Sequence, residues 1–185
     1  MKLHTKETAV LSLDFQKGLV GFMPKAEEII PTARKVLDIA RKNHLQIIHV
    51  GLGFAEGHPE IPAGTSIISQ IKEHNLFVKG TESAEFILAE PNELTIYKQR
   101  FSGFADNDLE MVLKVQGIKH LILMGLTTSG VVLSTLRRAA DLDFSCTIIK
   151  DACFDTDEET HRVLVEKIFP AQAKVISAAE FNIDN

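Results

Sequence analysis

His120-Leu-Ile-Leu-Met124, followed by Gly125-Leu-Thr-Thr-Ser-Gly130 and then Val131-Val-Leu-Ser-Thr135, decides how this chain is read. The first five residues are a short apolar run with the character of a buried strand, the next six form a turn, and the last begin a helical pattern. Sharp strand-to-helix turns in α/β proteins expose a reactive side chain beside free backbone N–H groups. Here the corner residue, Val131, carries an inert isopropyl group where a nucleophile is expected.

The same alternation continues on both sides. Residues 8–14 and 46–50 are apolar runs without helical period, as expected of strands covered on both faces. Between them Ile30, Ala33, Val36, Leu37 and Ala40 recur at three and four, which predicts a helix over 27–42 with one buried stripe. Further strands are predicted at 93–97, 120–124, 146–149 and 173–176. Helices are predicted from an Asp106 N-cap to Gln116 with Gly117 as stop, over 130–141, and near 157–168. Residues 51–92, punctuated by Gly51, Gly53, Gly57, Pro59, Pro62 and Gly64, are expected to make a long excursion. The βαβ pattern predicts a three-layer α/β/α, doubly wound, Rossmann-like fold with a six-stranded parallel sheet, in a single domain over 1–185.

Composition narrows the partners. With 45% hydrophobic and 24% charged residues the chain is ordinary for a globular protein, and a net charge of −5 with scattered Lys and Arg offers no basic stripe for nucleic acid. The start lacks an apolar signal core, and no run approaches the roughly 20 residues of a membrane helix, so no membrane partner and a cytoplasmic location are expected. Two cysteines, Cys146 and Cys153, are too few for a disulfide framework. Gly51, Gly53 and Gly57 miss the dinucleotide fingerprint by one residue, and no cofactor is expected.

In a parallel sheet the chemistry collects at the carboxyl ends of the strands. Asp14 ends the first strand, Lys98 the third, and the 125–131 turn the fourth. Position alone leaves Asp14 open between a working acid or base, its pKa raised by burial, and a turn cap. Lys98 is open between an electrostatic partner for a reacting group and a solvated surface lysine. Phe15, Phe22, Phe101 and Phe104 flank these two residues, as expected either of an apolar pocket for a small-molecule ligand or of plain core packing.

Taken together, Leu13-Asp-Phe-Gln16, Lys98 before Arg100, Ser102, Gly103 and Phe104, Gly125-Leu-Thr-Thr128 leading to Val132 and Thr135, and Lys150-Asp-Ala-Cys153 resemble the isochorismatase-like cysteine hydrolase superfamily. That group includes nicotinamidases, N-carbamoylsarcosine amidases and isochorismatases. The resemblance implies an Asp-Lys-Cys triad, with Asp14 and Lys98 in place and Val131 at the cysteine position. It also implies a pocket shared by Gln16 with the four phenylalanines, a cis peptide at Leu126-Thr127, and an oxyanion site in the turn at Thr127, Thr128, Ser129 and Gly130. Ser129 is the alternative nucleophile in the turn, although a helix cap explains it equally well. Cys153 follows the fifth strand on the same rim, but the resemblance implies a packed thiol there. Nicotinamidases of this group hold a metal in the excursion after strand two, where this chain offers only Glu56, His58 and Glu60, so no metal is expected. His49, His120 and His161 each stand alone and read as structural.

Two functions follow from the resemblance. One is a hydrolase-like protein acting on or binding a small, partly apolar amide or enol ether, the latter cleavable by an acid and water without a nucleophile, as in isochorismatases. The other is an inactive descendant that binds a small molecule or a protein. A homo-oligomer is expected in either case, with the Leu133 and Leu136 helix as a candidate interface.

Overall fold

A computed structural model describes residues 4–62, 64 and 67–183, with Ile67 described in its backbone only. Its centre is a six-stranded, all-parallel sheet: β1 Thr8–Leu13, β2 Gln46–Leu52, β3 Leu94–Lys98, β4 His120–Leu126, β5 Ser145–Phe154 and β6 Lys174–Ile176. The strand order is β3-β2-β1-β4-β5-β6. This is the doubly wound order, with its reversal between β1 and β4, where a crevice opens beyond the carboxyl ends. All six residues of β1 are buried, so both faces of the central strand are covered, which explains its lack of polar alternation.

The main helices are α1 Lys17–Phe22, α2 Ile30–Lys42, α3 Ile67–Glu73, α4 Leu109–Val115, α5 Leu133–Asp141 and α6 Glu158–Val163. In α2 the predicted stripe of Ala33, Val36, Leu37 and Ala40 is buried. Its first turns, 24–29, are wound as a 3-10 segment that starts at Pro24. Asp106 is not the cap of α4: its φ of 53° places it before the helix, and Asn107 Oδ1 instead accepts the Leu109 N–H at 2.9 Å. Gly117 does end that helix in the left-handed conformation, φ 69°. Asp157 caps α6 through the N–H groups of Glu159 and Thr160. Leu136 of α5 is buried and Leu133 is partly buried, and among the described residues the exposed large apolar residues on helices are Phe22 of α1 and Met111 and Val115 of α4. Among the described residues no helix is long and apolar enough to cross a membrane.

Two local constraints align the strand ends. A Cβ on Gly125 would fall 2.5 Å from the Leu13 carbonyl oxygen, so only glycine lets β4 close on β1 beside Asp14. At the amino end of β3, Glu93 takes the Arg41 fork at 2.8 and 3.0 Å, the Glu90 N–H at 2.9 Å and His49 Nε2 at 2.8 Å. Burial opposes ionisation of this carboxyl, but the bonds from Arg41, Glu90 and His49 outweigh it and hold the pKa down at about 2. A depressed carboxyl pKa stabilises the fold above the ordinary value of 4.5, and the contribution disappears as pH falls from there toward 2. Glu93→Gln is therefore expected to lose on the order of 2 kcal/mol at neutral pH. Urea unfolding of both proteins checks it, with the gap narrowing as pH drops below 4.5.

Candidate functional site

Asp14 is the first residue past β1 and adopts φ 61°, a left-handed conformation that Asp tolerates better than most residues. Its N–H bonds the Val50 carbonyl at 2.7 Å, which fixes the turn on the neighbouring strand. The carboxylate makes no cap. Oδ2 accepts from Lys98 Nζ at 2.9 Å, while Oδ1 is buried with no hydrogen-bond partner. Asp14 is only 5% exposed, and burial pushes its pKa up to about 6 against the opposing pull of Lys98. Lys98, the last residue of β3, is 1% exposed and gives a second bond to the Arg100 carbonyl at 3.0 Å. It is a buried counter-ion rather than a solvated surface lysine.

The β4 turn winds into α5 through one wide, π-type turn over 128–132, and the Leu126-Thr127 peptide is cis. Its polar groups are largely engaged with the protein. Ser129 N–H donates to Asp155 Oδ2 at 2.7 Å, Gly130 N–H to Thr127 Oγ1 at 3.1 Å, and Val132 N–H to the Thr127 carbonyl at 3.2 Å. Thr128 is buried with its hydroxyl 2.8 Å from His161 Nδ1, and the Ser134 hydroxyl donates to the Gly130 carbonyl. The expectation of an oxyanion site at Ser129 and Gly130 is corrected accordingly, because their N–H groups are already bonded.

Asp14, Lys98 and Val131 line one cavity of about 870 Å³, together with Thr127, Ser129 and Gly130. That volume suits a small organic molecule. Val131 is 2% exposed and forms part of the wall without closing the space. Of the aromatic residues expected here, Phe22 and Phe101 line the cavity and stand 61% and 51% exposed. The other pocket expectations are corrected. Phe15 is buried in the main core, Phe104 stacks on Phe144 with ring centres 6.1 Å apart, and Thr128 is turned to His161. Gln16 is fully buried and clamps the chain by bonding the Leu52 N–H and carbonyl and the Ala84 carbonyl.

Several wall residues escaped the sequence reading. Leu19 and Met23, Ile68 and Ile71 of α3, and Phe77 supply much of the apolar surface. Their signal was weak, because α3 spans only seven residues inside a glycine- and proline-punctuated excursion. Asp155 also lines the cavity, and the strand-end rule that found Asp14 missed it because β5 runs on to Phe154, past the predicted end at 149.

The remaining candidates lie away from the cavity chemistry. Cys153 belongs to β5 rather than following it, and burial pushes its thiol up to about 12; Cys146 is pushed up to about 12 in the same way. His49 and His120 bond Glu93 and Thr147. His58 is buried with Nε2 2.6 Å from the Leu76 carbonyl, and Glu60 Oε1 accepts the Ala55 N–H at 2.9 Å. Those side chains do not fit a metal shell, and among the described residues no group of three or more His, Cys, Asp or Glu is placed to form one.

Comparison with known proteins places this geometry. The model of the isochorismatase domain matches residues 8–180. The chain belongs to the isochorismatase family. This isochorismatase-family chain is 27% identical to the uncharacterized family protein YwoC of Bacillus subtilis, covering 98% of this chain and 95% of that protein. It is 28% identical to the ureidoacrylate amidohydrolase RutB of Caulobacter segnis, covering 83% and 75%. Among solved structures, an isochorismatase family protein of Desulfovibrio vulgaris superposes with a TM-score of 0.84 at 19% identity over 94% and 95% of the two chains. N-carbamoylsarcosine amidase of Thermoplasma acidophilum gives 0.75 at 20% over 98% and 99%. The family is one of hydrolases, and the shared fold carries Asp14 and Lys98 to a common cavity.

Both thiols are expected to stay unmodified in the native protein at pH 7 and to react once it is unfolded, because so little thiolate is present in the fold. Mass spectrometry after iodoacetamide treatment, with and without guanidinium, checks this.

Proposed function

We propose that this protein cleaves a small, partly apolar enol ether by acid catalysis with water as the nucleophile, and that Val131 stands at the position of the family cysteine. The observation that carries the proposal is the Asp14 carboxyl: one oxygen is tied to Lys98, the other is buried and unpartnered, and the residue lines the cavity. An amide needs a strong nucleophile, and the wall supplies an isopropyl group where a thiolate would act. An enol ether needs a proton and water.

Protonated Asp14 gives its proton to the terminal vinyl carbon, and an oxocarbenium ion forms. Water adds to the cationic carbon and returns a proton to the Asp14 carboxylate. The hemiketal hydroxyl then gives up its proton as its C=O forms and the C–O bond to the leaving group breaks, and the leaving oxygen takes up a proton, to give a ketone and an alcohol. Lys98 stabilises the carboxylate that exists between these transfers and fixes its position by holding Oδ2. The apolar walls at Leu19, Met23, Ile71 and Phe77 suit the apolar part of the substrate.

The acid must be protonated to act, and a pKa of about 6 makes the protonated form abundant below that pH. On an enol ether, kcat/KM is expected to be flat below pH 6 and to fall tenfold per unit above it. Asp14→Asn is expected to lower it by roughly 100-fold or more. A rate that rises through pH 6, or one indifferent to Asp14→Asn, overturns the assignment.

A second reading is retention of a ligand without turnover, supported by the chemical inertness of Val131. Val131→Cys separates the two. A thiol in that wall, beside Asp14 and Lys98, is expected to confer amide hydrolysis that iodoacetamide abolishes and that Asp14→Asn also removes. A wild-type protein that binds small ligands in a thermal-shift screen yet turns over no enol ether supports the second reading.

A further inference from the structure

The charged groups of the cavity are not all paired with one another. Asp14 and Lys98 neutralise one another at 2.9 Å. Asp155 also lines the cavity and accepts the Ser129 N–H, and it forms no ion pair with Arg100. Arg100 also lines the cavity and is partly buried, yet among the described residues no carboxylate lies within ion-pairing distance of it. Its guanidinium donates to two neutral acceptors, the Gln99 carbonyl at 2.7 Å and the Glu60 carbonyl at 3.1 Å.

Arg41, similarly shielded, shows the contrast. It is satisfied by carboxylates at Glu93, Asp38 and Glu90. Carbonyl oxygens fix the plane of a guanidinium but leave its full positive charge uncompensated, and holding such a charge in a partly desolvated wall is unfavourable without an anion. The free N–H donors of a fork held in this way are preorganised for a planar, bidentate anion. The site is also registered to the reacting group. The Arg100 carbonyl and Asp14 Oδ2 share one ammonium, Lys98 Nζ, so the Arg100 backbone cannot drift relative to the carboxyl.

We propose that Arg100 is a specificity-determining residue that anchors a carboxylate on the ligand and thereby sets which atom faces Asp14. The ligand is then a small molecule with an anionic end on Arg100 and an apolar body against the Phe22 side of the cavity. This rests on the proposed function only in using the same cavity, and binding measurements test it without turnover.

The probes are benzoate and benzamide, equal in shape and different in charge, titrated calorimetrically into wild-type protein, Arg100→Gln, Arg100→Lys and Asp14→Asn. Wild type is expected to favour benzoate, and Arg100→Gln to weaken benzoate by at least about tenfold while leaving benzamide unchanged. Arg100→Lys keeps the charge but not the fork and is expected to fall between them. Should Arg100→Gln not fold, Arg100→Lys and the wild-type preference between the two probes still decide the matter. Equal binding of both probes by wild type, or equal loss of both in either variant, overturns the proposal. Asp14→Asn is expected to retain the benzoate preference. Failure of enol ether turnover together with an Arg100-dependent benzoate preference removes the acid mechanism and leaves the anchor standing. Turnover with a KM indifferent to Arg100→Gln does the reverse.

Discussion

The arrangement depends on one ion pair between strands that are not neighbours. Asp14 follows β1 and Lys98 ends β3, with β2 between them, and the two charged groups meet at 2.9 Å with almost no solvent contact. Desolvating two charges is expensive, and their mutual attraction inside a protein repays that cost only when the remaining polar atoms are satisfied. Here they are satisfied on one side alone. Lys98 has a second acceptor in the Arg100 carbonyl, whereas Asp14 Oδ1 has none. A strut built for stability would fill that vacancy with an N–H group. The carboxyl is instead left with a raised pKa and an unspent acceptor at a cavity wall, which is the arrangement expected of a group kept for chemistry or ligand contact.

Much of the fold was legible because a doubly wound sheet writes itself plainly. Strands covered on both faces lose polar alternation, so β1, β2 and β4 stood out as apolar runs, and helices packed on one side kept a stripe at three and four, as in α2. Boundaries were less legible where a side chain rather than periodicity sets them. Asp106 carries the composition of a cap, but Asn107 makes the bond, and nothing in residue type separates the two. Beyond the strand ends the signal weakened further. The wall contributed by α3 rests on a small separate cluster of Phe54, Ile61 and Phe77, built from residues distant in sequence and joined by irregular chain.

The site shows the same division at finer grain. Asp14 and Lys98 were found because strand ends in a parallel sheet converge on one rim. Phe15 was misplaced because strand alternation stops at the left-handed turn of Asp14, and the residue that follows it packs into the main core. Gln16 shows how a motif residue acts at one remove. Its amide holds Leu52 and Ala84, fixing the start of the excursion that carries one wall of the cavity. The turn after β4 was read as a set of free donors. In the folded chain Asp155 and Thr127 have already claimed the N–H groups of Ser129 and Gly130.

The internal bonding of that turn bears on what Val131 does. A loop that needs a ligand or a reacting group to order its backbone would show loose donors around the corner. This one is held by Asp155, by Thr127 and by the Ser134 hydroxyl, independently of the side chain at 131. The backbone is thus preorganised whether or not a nucleophile is present, and the identity of residue 131 changes the reagent without changing the frame. The valine at 131 offers the cavity no nucleophile, while the Asp14 carboxyl, its Lys98 counter-ion and the Arg100 guanidinium, which has no ion pair, line the same space. The polar character of the cavity therefore comes from its charged side chains rather than from residue 131.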